Sequence, residues 1–151
     1  MPVQITLLEP HEIVLISAVA PFRFDDLYER AVSDLEENAN PALFGLPFIM
    51  DLRQADLLAS TSADIRGLLR KRKSLGVKAA DNPCCFIAGD IGSFGMLRMY
   101  VAYSEAEGLR REENAFVTME LFEGVEWLLK HLKRPGSDAA SLLTEINLQV
   151  A

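Results

Sequence analysis

Apolar positions along this chain recur with two different periods, and prolines mark most of the places where one gives way to the other. Residues 3–8 and 12–19 are short β-type runs joined by Glu9-Pro10-His11, which predicts a hairpin. Ile13-Val14-Leu15-Ile16 is apolar on both faces, so the second strand belongs inside a sheet. Over residues 24–38 the spacing of Leu27, Ala31, Val32 and Leu35 predicts a helix. Asp25, Asp26 and Glu29 suit its positive N-terminal end, and Asn40-Pro41 stops it. Residues 47–52 form a short apolar run bounded by turn residues, a buried strand.

Thr61-Ser62-Ala63-Asp64 has the spacing of a capping box, in which hydroxyl and carboxylate each satisfy a backbone N–H that the helix leaves free. The helix it opens buries Ile65, Leu68, Leu69 and Leu75 and stops at Gly76. A third buried strand is predicted at residues 84–89, a helix at 94–107, a short strand at 116–119, and a helix lined by Leu121, Val125, Leu128, Leu129 and Leu132. That order predicts an α/β fold: a mixed, mostly parallel sheet of about five strands, with an N-terminal hairpin and about four helices. Residues 1–135 make the domain. Residues 136–151, with Leu142, Leu143, Ile146 and Val150, form a C-terminal extension, helix or strand, packed on this domain or on a dimer partner.

Several of these segments carry a resemblance. Phe48-Ile49-Met50-Asp51-Leu52 ahead of a capped helix, Cys85-Phe86-Ile87-Ala88-Gly89-Asp90, Phe94-Gly95-Met96-Leu97-Arg98-Met99-Tyr100 and Glu126-Trp127-Leu128 together resemble the SpoIIAA-like family of small bacterial proteins. The similarity spans residues 3–132. It implies a fold akin to STAS and CRAL-TRIO domains and a family whose biochemical role is largely unassigned. STAS anti-sigma antagonists carry an Asp-Ser-Ser-Gly phosphorylation motif after the middle strand. Here Asp51 is followed by Leu52-Arg53-Gln54, so a serine switch at this place is not expected.

Composition narrows the function classes. Half of the 151 residues are hydrophobic and a quarter are charged, the mix of a globular domain. The net charge of −7 argues against nucleic-acid binding. No apolar run is long enough for an integral membrane protein. The N-terminus has no basic flank followed by an apolar core, so a cytoplasmic location is expected. Cys84 and Cys85 are adjacent in a strand and therefore point to opposite faces, which suits buried free thiols rather than a disulfide or a zinc site.

Charge is unevenly spread. Residues 1–60 hold ten acids and three bases, whereas residues 61–151 hold twelve of each. Arg66, Arg70 and Lys73 form a helical stripe with Lys71, Arg72 and Lys78 nearby, either a solvated face or a contact for an acidic partner or anionic surface.

Candidate chemistry is sparse. Gly89-Asp90-Ile91-Gly92-Ser93-Phe94-Gly95 joins a strand to a helix, where backbone amides can hold an anion. It lacks the phosphate-loop and dinucleotide-binding spacings, and a plain turn with Ser93 as helix cap explains it. The helix that follows is apolar nearly all round, with Arg98 its one charge among Met96, Leu97, Met99, Tyr100 and Val101. Such a helix is sandwiched in a core, lines a pocket or forms a subunit interface. In the pocket reading Arg98 orients an anionic head group. In the structural reading it pairs with Asp90 or Asp51. His11 and His131 fit no metal spacing, and no nucleophile elbow occurs. No cofactor or metal is expected.

Three functions fit. The first is a non-enzymatic regulatory domain binding a small apolar or lipid-like ligand, or a protein partner, through Asp51, Asp90, Ser93, Met96, Arg98, Met99 and Tyr100. The second is a structural homodimer joined by the helix at 94–107. The third is an enzyme with Asp51 or Asp90, at strand C-termini, as general base beside the turn at 89–95.

Overall fold

The computed structural model describes residues 3–9, 11–23, 26, 46–57, 60–74 and 82–150. Five strands form one sheet in sequence order: β1 (Val3–Leu8), β2 (Ile13–Val19), β3 (Phe48–Gln54), β4 (Cys84–Ala88) and β5 (Ala115–Thr118). The hairpin pair β1–β2 is antiparallel, and every later pairing is parallel. Helices α1 (Ser62–Ser74), α2 (Ile91–Ala106), α3 (Leu121–His131) and α4 (Asp138–Val150) complete the α/β fold among the described residues. The expected helix over residues 24–38, its stop at 40–41, and Leu75, Gly76 and Lys78 lie outside the described residues.

Strand alternation divides the core in two. Met50, Leu52, Cys84, Phe86 and Ala88 face α1 and α2, whereas Ile49, Cys85 and Ile87 face α3 and α4. The two cysteines therefore open onto opposite layers, both buried and both free. Covering on both faces explains why every residue of β4 is buried and why its sequence does not alternate.

The capping box forms as the spacing predicts. Asp64 N donates to Thr61 Oγ1 at 3.2 Å, and Thr61 N donates to Asp64 Oδ2 at 2.9 Å. The segment read as a C-terminal extension is part of this core: α4 seats Ala139, Leu142 and Ile146 against Leu8, Ile13 and α3. Leu142 and Ile146 are fully buried, and each such side chain contributes about 1.5–3 kcal/mol. α4 begins beside the β1–β2 turn, where His11 Nε2 meets Ser141 Oγ at 3.2 Å, and runs back towards the far end of the sheet.

Candidate functional site

Parallel strands β2, β3 and β4 end together, and this carboxyl edge is where open α/β sheets gather ligands. Asp51, near the end of β3, faces the α3–α4 layer and is 5% exposed. Arg53 is two residues on and so on the same face. Its Nε and Nη2 donate to Asp51 Oδ1 and Oδ2 at 2.9 and 2.8 Å, a two-pronged ion pair. The hydrogen bond to Asp51 raises the guanidinium's pKa above its ordinary value. Gln4, Ser17, Ala18, Val19, Gln54 and Gln149 join the pair around a pocket of about 270 Å³. Gly89 is required here: a Cβ on it would stand 2.3 Å from the Arg53 carbonyl oxygen, so the ends of β3 and β4 could not approach.

The same edge collects apolar surface. Six large hydrophobic side chains are exposed among the described residues, and five lie at this end of the molecule. Val19 ends β2, Ile91 opens α2 directly after β4, Met119 follows β5, Phe122 is in the first turn of α3, and Leu148 is in the last turn of α4. Leu7, at the hairpin end, is the sixth.

Asp90 and Ser93 exchange the roles expected of them. The cap of α2 is Asp90, whose Oδ1 accepts from Ser93 N at 2.7 Å, and the helix starts three residues earlier than its apolar period suggests. Ser93 is buried in the first turn, its Oγ without a partner. A carboxylate already occupies this helix terminus, which removes the case for an anion cradle at residues 89–95. Asp51 and Asp90 do not form one site, since Asp51 faces α3 and α4 whereas Asp90 caps a helix on the other face.

The remaining expected site residues separate too. Tyr100 is buried in the core, while Met96 and Met99 are half-buried against it. Arg98 points to solvent, and no ion pair to Asp51 or Asp90 forms. The apolar character of α2 has a packing cause: Leu97, Tyr100 and Val101 are buried against the sheet, and Met96, Met99 and Tyr103 pack on that core. The basic stripe of α1 docks on α2, with Arg66 over the Tyr103 ring at 4.9 Å, Arg72 donating to Tyr100 Oη and Lys73 bridging to Glu107 at 3.2 Å. Arg70 alone of the expected stripe stays exposed without such a contact to α2 among the described residues.

A group that the sequence did not single out lies at the opposite, amino edge of β3 and β4. Arg110, in the loop between α2 and β5, is 2% exposed. Its Nη1 donates to Cys84 Sγ at 2.7 Å, and its guanidinium lies 5.0 Å from the Phe48 ring centroid and 5.9 Å from that of Phe86. Nε and Nη2 have no partner among the described residues. Burial pushes the Cys84 thiol up to about 11, with Arg110 and Arg72 holding it back from rising further. Cys85, on the other face, is raised well above the ordinary thiol value by burial, with the charges of Cys84 and Asp51 adding to it. Among the described residues Arg110 is thus an uncompensated cation in the core. Ring contacts worth about 0.5–2 kcal/mol each do not offset a desolvation cost of several kcal/mol.

Neither histidine joins the Asp51–Arg53 pair or the contacts of Arg110. His11 sits at the hairpin turn, and His131 stacks on Trp127 and meets Asn114 Oδ1 at 3.0 Å. Among the described residues no group of three or more His, Cys, Asp or Glu side chains could hold a metal, and no helix is long and apolar enough to cross a membrane. No protein-family model matches the chain, and searches of curated proteins and of solved structures give no match either.

Proposed function

We propose that this chain is a non-enzymatic, regulatory interaction domain of the SpoIIAA-like, STAS type, working in the cytoplasm, and that it docks a protein partner on its carboxyl edge. The observation that carries this is the clustering of Val19, Ile91, Met119, Phe122 and Leu148 at one end of the molecule. Four adjacent strands already span about 14 Å at ordinary strand spacing, and helices extend the edge further. That breadth suits a protein surface better than a small molecule. Exposed Met and Phe around a polar centre match the composition of interface cores. The Asp51–Arg53 pair, with Asp51 buried and Arg53 exposed, supplies that centre, a fixed polar mark for orienting the partner. Leu52 is buried where a phosphorylatable serine would follow Asp51, which supports a reading without a serine switch at this place.

A second reading rests on the pocket of about 270 Å³ beside Val19 and Gln149, which suits the polar head of a small amphiphile. Affinity capture from the source organism, repeated with purified components, tests both. A partner retained by wild type and by Leu7→Glu but lost with Phe122→Glu supports the docking edge. Equal capture by all three chains contradicts it. A mass increment in native mass spectrometry that vanishes on denaturation, and that Arg53→Ala abolishes, would replace the partner with the amphiphile.

A further inference from the structure

The unpartnered nitrogens of Arg110 are not an arbitrary pair. Nε and Nη2 share one edge of the guanidinium, the edge whose two parallel N–H bonds match the two oxygens of a carboxylate. Arg53 shows the match completed within this chain, the same two atoms meeting both oxygens of Asp51. At Arg110 the third nitrogen is spent on Cys84 Sγ, and the matching edge is left unfilled in the core. We propose that Arg110 is the recognition group of a second binding site, at the amino edge of β3 and β4, which takes the carboxylate of a small organic acid.

The surroundings favour that ligand class. Phe48, half-buried at 5.0 Å from the guanidinium, offers apolar surface to the body of the acid, and Phe86, fully buried, backs the guanidinium from the core side. Arg72, held on Tyr100 Oη, adds positive potential at Cys84 from the α1 side. Cys84 keeps its proton at neutral pH and does not neutralise Arg110. Glu112 and Glu113, on the same loop, are exposed, and Glu113 faces Arg111 at 3.9 Å rather than Arg110. A single negative charge balances the guanidinium in this dry site, whereas a phosphate dianion gives up far more hydration to enter it. This site is independent of the docking edge, since it lies at the other end of the sheet.

Thermal unfolding with sodium benzoate, sodium acetate or sodium phosphate, against sodium chloride at matched ionic strength, tests the proposal. The wild-type midpoint rises by several degrees with benzoate and saturates, as specific binding to the folded state requires. Arg110→Lys, which keeps the charge and loses the paired N–H edge, needs at least tenfold more benzoate, and Arg110→Met gives no response. The Arg110 Nε–Hε resonance of the wild-type protein, shifting as benzoate is added, supplies a readout that needs no variant. An unchanged resonance, a midpoint that moves no more than in chloride, or an equal response in Arg110→Met overturns the proposal. Saturation by phosphate but not by either carboxylate overturns the ligand class.

Discussion

Arg53 and Arg110 mark opposite ends of one sheet, and they differ in what answers their charge. Arg53 lies at the carboxyl edge, 36% exposed, with the fork of its guanidinium filled by Asp51. Arg110 lies at the amino edge beside Phe48 and Phe86, with the equivalent fork unpartnered among the described residues. A local pair two residues apart on one strand costs the fold little, because a single backbone segment positions both partners. A buried cation with no acid in reach costs several kcal/mol, and a fold that carries one either loses that stability or recovers it from a ligand. The carboxyl edge is thus complete in itself and apolar at its rim, which suits a partner. The amino edge is incomplete.

The largest effect that sharpens this contrast is alkaline. Cys84 lies beside Arg110, whereas Cys85 has no such cation, and both thiols stay protonated in the fold above the pH at which they ionise when unfolded. Between the ordinary value of 9.0 and about 11 the unfolded chain therefore binds fewer protons than the folded one. Stability falls as pH rises, by about 1.4 kcal/mol per pH unit per thiol. Denaturant titrations at pH 8 to 11 check this, and Cys85→Ala halves the slope. For Cys84 the loss levels off near pH 11.

Gly89→Ala comes next. A methyl group at 2.3 Å from the Arg53 carbonyl oxygen meets backbone on backbone, so the ends of β3 and β4 must part. A loss of about 1–3 kcal/mol is expected by chemical denaturation, with a weakened carboxyl edge and no change at Arg110. Asp90→Ala removes the α2 cap and costs about 1 kcal/mol. Ser93→Ala is the smallest, within about 0.5 kcal/mol, because its Oγ makes no bond to lose. If the larger of those two losses fell on Ser93, the reassignment of the cap would be wrong.

Strands were legible because buried runs such as Ile13-Val14-Leu15-Ile16 and Cys84-Cys85-Phe86-Ile87 have no other use in a domain of this size. The capping box was legible because its chemistry is local. The start of α2 was hidden by Ile91, an apolar residue that faces solvent and breaks the helical period. Arg98 drew attention as the one charge in an apolar helix. Two residues separate it from Tyr100, about 160° around the helix axis, so packing Tyr100 inward turns Arg98 out. Arg110 was illegible because Leu109-Arg110-Arg111-Glu112-Glu113 reads as a polar loop. Its burial comes from the convergence of β3 and β4 at Phe48 and Cys84, a tertiary fact with no local signal beyond the apolar Leu109 before it.

One pair of variants tests the contrast most directly: Arg53→Met and Arg110→Met, unfolded by urea in a chloride buffer free of carboxylates. Arg53→Met strands the buried Asp51 carboxylate and is expected to lose about 1–2 kcal/mol, the modest value reflecting how far solvent screens Arg53. Arg110→Met removes an unanswered buried charge and is expected to be as stable as the wild type, or more so. A loss in Arg110→Met as large as that in Arg53→Met would contradict this, because it would mean that the chain itself satisfies Arg110.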